Sequence, residues 1–196
     1  MVEGSAVTAL VVGGGPVAAR KARMLAASGA AVRVVATRVG AELRDAAAAL
    51  PIALDERPYR RGDVGDATIV VAATSSREAN AAVAAEARAL GRLVNVADAP
   101  AEGNFVTAAV HRAGDLVISV SAGGVPGAAA RIRDAIAGRF DGRYAAAVAA
   151  LGRLRRRALD EDGAASWSAQ AETLVGADFC AAVESGAFER RVAGWP

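Results

Sequence analysis

Between Val7 and Asp98 the chain alternates short apolar runs with longer segments in which alanine, valine and leucine recur at helical spacing. The runs Val7 to Val12, "AAVRVVAT" from Ala30, "ATIVVAAT" from Ala67 and "RLVNVAD" from Arg92 are too short for helices and rich in β-branched residues. Each reads as a buried strand. The intervening segments predict helices over about Pro16 to Ser28, Val39 to Leu50 and Arg77 to Leu90. Gly29 and Gly91 stand where a helix commonly stops. "PIALDERPY" is a weaker strand and loop. Strands that carry apolar residues on both faces and alternate with helices predict βαβ units and a parallel sheet covered on both sides.

After Asp98 the rhythm changes. "NFVTAAV" and "DLVISVS" are strand-like runs separated by "HRAG", which leaves open a hairpin or additions to another sheet. From Pro126 onward the pattern is helical, with breaks near Gly142, Gly163 and Gly176. The expected organisation is α/β: residues 1–98 a parallel-sheet domain, 99–140 a small α/β element, and 141–196 a helical region.

Composition narrows the class. Hydrophobic residues make up 54% of the 196, enough for a sizeable core, and aromatics only 4%, so the helices should pack through small side chains. A net charge of +2 gives no basic stripe of the kind that grips nucleic acid. Arg153, Arg155, Arg156 and Arg157 lack interleaved aromatics and read as a solvated helix face. The single cysteine, Cys180, excludes an internal disulfide and suits a reducing compartment, where it would fill a small core position. One histidine and one cysteine do not make a conventional zinc site, so no metal centre is expected. With no basic leader before the first strand and no apolar run of membrane-spanning length, a cytoplasmic protein is expected.

The chemistry begins at "LVVGGGPVAARKA". Gly13, Gly15 and Ala18 form G-x-G-x-x-A between a strand and a helix, with Gly14, Pro16 and Val17 filling the intervening positions. The first glycine permits a sharp turn, the second lets backbone approach a pyrophosphate, and the small third residue lets helix and strand pack closely. The following helix would aim unpaired N–H groups at that pyrophosphate, and a proline at its first position forfeits no needed donor. No acid stands at the end of the second strand, where a ribose hydroxyl is usually held. Thr37 and Arg38 are there instead, leaving NAD and NADP both open.

Taken together, "VVGGGPVAARKARML", "IVVAATSSREANAAVAAEA", "LVNVADAP" and "LVISVSAGGVPGAAARIRDAI" resemble the siroheme synthase N-terminal family over about three-quarters of the chain. Its distinguishing pieces here are Gly13 to Lys21, the spacing from Ala73-Thr74 to Asn80, and Asn95-Val-Ala-Asp98. The resemblance implies an NAD-dependent precorrin-2 dehydrogenase that makes sirohydrochlorin for siroheme or cobalamin. Some relatives also insert ferrous iron, so ferrochelatase activity stays open. A Rossmann-like domain would bind NAD, and the segment after it would build a homodimer with a tetrapyrrole cleft.

The same resemblance assigns the site. Asp98 is the expected catalytic carboxylate, and Gly13 to Ala18, Thr37, Arg38, Ala73, Thr74 and Asn95 the expected cofactor residues. Arg131, Ser121, Gly123 and Gly124 are the expected substrate contacts, Arg131 because a bidentate guanidinium suits the macrocycle's carboxylates. Asn80 is expected to cap or pack its helix, and His111, beside Arg112, to lie exposed in a loop. The chain departs from the family pattern at Gly124-Val125-Pro126-Gly127 and at Asp134, which stands beside Arg133 where relatives carry arginine. No methyltransferase segment lies within the 196 residues, so a standalone protein and a piece of a fusion are both open. Two other readings are a nucleotide-sensing module without catalysis and a tetrapyrrole carrier.

Overall fold

The structure, a computed structural model, describes residues 3–161 and 163–195. It divides into two compact units, Met1–Thr107 and Ala108–Pro196.

The first unit is built on a five-stranded parallel sheet: β1 (Thr8–Val12), β2 (Ala31–Ala36), β3 (Ile52–Glu56), β4 (Ile69–Ala72) and β5 (Leu93–Val96). Their spatial order is β3-β2-β1-β4-β5, with β1 pairing β2 on one side and β4 on the other. The order therefore reverses between β1 and β4, the switch point where such sheets open a crevice at their carboxyl ends. Helices α1 (Pro16–Ala27), α2 (Ala41–Ala49) and α3 (Arg77–Ala89) link β1 to β2, β2 to β3 and β4 to β5, while residues 57–68 cross from β3 to β4 without a helix.

Strands β1, β2, β4 and β5 bury both faces, as their continuous apolar runs require, whereas the edge strand β3 buries only Ile52. Ala9 and Val11 of β1 join Val32, Val34 and Leu43 in one core, while Leu10 and Val12 join Val35, Val70 and Val83 in the other. Ala18 and Ala22 are fully buried on α1, so helix and sheet meet through methyl groups. Each fully buried Leu or Val contributes roughly 1.5–3 kcal/mol relative to an exposed position. The end of α1 is closed as the sequence predicts: Gly29 has φ of 90° and Ala30 N–H reaches back to the Leu25 carbonyl at 3.2 Å.

Residues 99–107 were expected in the second element, and the structure places them in the first unit. The expected strand 104–110 is not formed there. Instead the Asn104 side chain takes over the role of a strand neighbour along β5. Its Oδ1 accepts from Val94 N–H at 2.7 Å and its Nδ2 donates to the Arg92 carbonyl at 2.9 Å. Further along, Lys21 Nζ donates to Thr107 Oγ1.

The second unit opens with an antiparallel hairpin, β6 (Ala109–Ala113) and β7 (Leu116–Val120). Its turn is Gly114-Asp115 rather than "HRAG", because Gly114 at φ 56° supplies the two-residue geometry that a twisted hairpin favours. His111 and Arg112 consequently lie within β6, opposite Ile118 and Val117. His111 is not a loop histidine: it is half-buried, with Nε2 2.6 Å from the Phe140 carbonyl oxygen.

Helices α4 (Pro126–Arg139), α5 (Gly142–Glu161), α6 (Ala164–Leu174), α7 (Phe179–Glu184) and α8 (Ala187–Ala193) follow, broken near the predicted Gly142, Gly163 and Gly176 and once more at Gly186, which the sequence pattern did not mark. The region after 140 is not set apart, since a shared core of Tyr144, Ala147, Val183 and Phe188 packs against Leu116 and Phe140. Cys180 lies partly buried beside this core. Arg153, Arg155, Arg156 and Arg157 are exposed on α5. Among the described residues no helix is long and apolar enough to cross a membrane.

Candidate functional site

The glycine loop follows β1 directly. Gly13 has φ of 130°, a conformation closed to side chains, and a Cβ there would stand 2.2 Å from the Ala73 carbonyl oxygen. A Cβ on Gly14 would stand 1.9 Å from the Arg38 carbonyl oxygen. These two glycines are therefore required by neighbouring backbone, the loop after β4 on one side and the loop after β2 on the other. At Gly15 a Cβ would meet nothing within 4 Å.

Gly15 is also the N-cap of α1, where no side chain caps the helix and Pro16 takes the first turn. Gly15, Pro16 and Val17 are exposed, and Ala18 is buried against the sheet. An uncapped helix start facing open space, with a glycine at the point of approach, fits a pyrophosphate. Thr37 and Arg38 are exposed beside this loop, and Gly40 N–H donates to the Gly14 carbonyl at 3.0 Å. Arg38 forms no ion pair among the described residues. The nearest acid in register, Glu56 opposite Ala36, is already used. It accepts from Val39 N–H at 3.1 Å and from Arg44 at 2.8 Å, and these partners hold its carboxyl below its ordinary value.

At the ends of β4 and β5 lies a polar cluster centred on Asn80, in the first turn of α3 and completely buried. Ser76, not Asn80, caps the helix, accepting from Ala79 N–H at 3.1 Å. The Asn80 Oδ1 accepts from Thr74 N–H at 3.0 Å and lies 2.8 Å from the Thr74 hydroxyl. Its Nδ2 donates to the Thr74 carbonyl at 3.1 Å and to Asp98 Oδ1 at 2.9 Å. The backbone donor on Thr74 fixes which way the amide points, so the donor side faces Asp98.

Asp98 itself is exposed. Among the described residues its Oδ2 accepts no hydrogen bond, and the nearby Arg77 guanidinium is paired with Glu102. Ala73 is half-buried and supplies the carbonyl that excludes a side chain at Gly13.

Asn95, expected near cofactor or Asp98, is buried on β5 and donates to the Phe105 carbonyl at 3.2 Å. The contact with Asp98 comes from Asn80, which the sequence set apart through its spacing from Ala73-Thr74 and as a residue to cap or pack its helix, not as a partner of Asp98. Lys21, half-buried on α1, is the other polar residue whose setting the sequence did not show. Burial, with the charge of Arg20 adding, holds its ammonium below the ordinary lysine value.

The expected substrate residues lie in the second unit. Ser121, Gly123 and Gly124 form the exposed turn before α4, with φ of 53° and 82° at the glycines. Arg131 is exposed on α4 and forms no ion pair among the described residues, whereas Arg133 is paired with Asp134. Among the described residues no group of three or more His, Cys, Asp or Glu side chains is arranged to hold a metal ion.

Known proteins agree with this architecture. A family model described as NAD(P)-binding matches residues 1–109. The siroheme synthase of Ectopseudomonas mendocina (strain ymp) is 44% identical over 115 residues, which are 59% of this chain and 24% of that protein. That of Pseudomonas aeruginosa PAO1 is 46% identical over 116 residues, 59% of this chain and 25% of that protein. The chain thus spans about a quarter of the length of the curated relatives it matches. The solved structure of SirC, precorrin-2 dehydrogenase, superimposes with a TM-score of 0.77 at 24% identity, covering 100% of this chain and 98% of that one, and so shares the fold. With its glycine loop, parallel sheet and switch point all within the matched residues, the chain belongs to this NAD(P)-binding family, the N-terminal family of the siroheme synthases.

Proposed function

We propose that the protein is an NAD-dependent precorrin-2 dehydrogenase, oxidising precorrin-2 to sirohydrochlorin in the synthesis of siroheme or cobalamin. One observation carries the reading: Thr74, in the loop that packs on Gly13, and Asp98 share the buried Asn80 amide. The glycine turn after β1, the Thr74 loop after β4 and the exposed carboxylate after β5 therefore stand at the carboxyl ends of three successive strands of the sheet, where α/β sheets bind their ligands.

The backbone of Gly13 to Ala18 would hold the pyrophosphate at the start of α1. Thr37 and Arg38 would flank the adenosine end, and Ala73 and Thr74 the switch-point side. When bound, the nicotinamide supplies the acceptor for the hydride that leaves precorrin-2. Asp98 takes the accompanying proton as general base, through Oδ2. Loss of a hydride and a proton together extends the conjugation of the macrocycle.

Precorrin-2 carries carboxylates around its rim. Arg131, free of any ion pair among the described residues, would meet one of them, and the Ser121 to Gly124 turn would lie against the ring. The protein would work as a homodimer through its second unit. The exposed Val125 and Ile132 at and along α4, where Ala129 alone is buried among the described residues, support that pairing. A cytoplasmic setting suits its single unpaired cysteine. Iron insertion is not part of the proposal.

The test is anaerobic incubation with precorrin-2 and NAD, following cofactor reduction alongside the tetrapyrrole spectrum. Matched formation of NADH and sirohydrochlorin supports the reading. Nucleotide binding without turnover, by folded protein given either nicotinamide, points instead to a sensing module, and a tetrapyrrole spectral change without turnover to a carrier.

A further inference from the structure

We infer that Asn80 is a positioning residue for Asp98, holding one carboxylate oxygen so that the other is presented for proton transfer. The inference rests on the reading of Asp98 as the base. Its geometry stands on three facts. Asn80 is fully buried, so its amide must be satisfied within the protein. Thr74 N–H occupies its oxygen, so the NH2 group is committed to the other side. That group spans from the Thr74 carbonyl to Asp98 Oδ1, linking two loops that are otherwise far apart in sequence.

Consequences follow for the carboxylate. An exposed aspartate at a strand end is free to rotate, and a freely rotating base is in the productive orientation only part of the time. A donor on Oδ1 removes that freedom and leaves Oδ2 as the accepting atom. Because the same amide holds Thr74, the loop against Gly13 and the base are set by one side chain. A buried amide with every polar atom committed costs more to disturb than a surface contact.

Asn80→Asp separates this role from a merely structural one. It keeps the oxygen that Thr74 N–H uses and removes the donor shared by the Thr74 carbonyl and Asp98 Oδ1, at nearly unchanged volume. The expected result is a kcat lowered about ten- to a hundredfold, the range typical of residues that orient an active group, with NAD affinity within about threefold of the parent. A purely structural Asn80 would instead weaken NAD through Thr74 and leave kcat at saturating NAD unchanged. That outcome overturns the inference.

A second readout needs no turnover. In the apo protein, Asn80→Asp sets two carboxylates face to face, and Asp98→Asn relieves the conflict by offering an amide donor in the reverse direction. The Tm loss caused by Asn80→Asp should therefore shrink to about half or less in the Asp98→Asn background. Equal losses in both backgrounds mean that the pair does not interact and contradict the inference. If the parent protein shows no dehydrogenase activity, the dehydrogenase reading fails, while this cycle still decides whether Asn80 holds residue 98.

Discussion

A side-chain carbon on Gly13 would stand 2.2 Å from the Ala73 carbonyl oxygen, so the turn after β1 is closed to every residue but glycine by the loop after β4. Two positions on, a carbon on Gly15 would touch nothing. The contrast predicts opposite phenotypes. Gly13→Ala must shift backbone and adopt an unfavourable φ, so it should lower Tm and impair nucleotide binding together. Gly15→Ala should change Tm by no more than a few degrees, yet lower NAD affinity about tenfold or more by filling the approach to the helix start. Thermal unfolding and NAD titration of the two variants check this. A Gly15→Ala variant that binds NAD normally would remove the pyrophosphate from the proposed place.

Arg38 is the residue proposed to meet the adenosine end. It is exposed beside the glycine loop and unpaired among the described residues, while the nearest acid in register, Glu56, is committed to Arg44 and Val39. Arg38→Ala should weaken NADP binding about tenfold, through loss of a phosphate partner, and alter NAD binding by less than about twofold. Equal loss for both nucleotides would show that Arg38 does not read the 2′ position.

Acid stability should depend on Asp63, between β3 and β4. It accepts two hydrogen bonds from Arg57, at 2.7 and 2.8 Å, and one from Arg60 N–H at 2.7 Å. The Arg57 bonds chiefly hold its carboxyl below the usual aspartate value. A folded-state value below the unfolded one stabilises the protein above the unfolded value, and that stability is lost as pH falls through the folded one. Asp63→Asn should therefore lower Tm by about 5 °C at pH 7, and by progressively less as pH falls through the folded-state value, where the parent loses the same interaction. A Tm difference independent of pH would contradict the assignment.

The second unit carries its own pH-sensitive contact. Tyr144 is buried and donates to Glu184 Oε1 at 2.9 Å, and Arg139 donates to the same oxygen at 2.6 Å. Burial and this bond raise the Tyr144 hydroxyl above the usual range, and Arg139 chiefly lowers Glu184. The Tyr144 contribution is present below the unfolded tyrosine value, about 10, and is lost at higher pH. Tyr144→Phe should thus flatten the alkaline fall in Tm. An unchanged alkaline limb would place that titration elsewhere.

Local pattern explains what the sequence disclosed. The strands β1, β2, β4 and β5 bury both faces and so read as apolar runs, and the glycines that end α1 and form the turn after β1 act through their own backbone. The hairpin was misplaced because Val106 and Thr107 look like strand residues, whereas Asn104 pairs with β5 through its side chain and leaves 104–108 outside any strand. The turn at Gly114-Asp115 then draws His111 and Arg112 into β6. Asn80 shows a different limit: the spacing from Ala73-Thr74 marks its local partner, but Asp98 reaches it only when β4 and β5 are paired, so nothing near Asn80 signals that contact.

The central claim is that Asp98 takes the proton when precorrin-2 is oxidised. Asp98→Ala, assayed anaerobically with precorrin-2 and NAD against the parent protein, tests it most directly. The account predicts matched NADH and sirohydrochlorin formation by the parent and a loss of about 100-fold or more in kcat for the variant, with NAD still bound. Undiminished turnover by Asp98→Ala would contradict it.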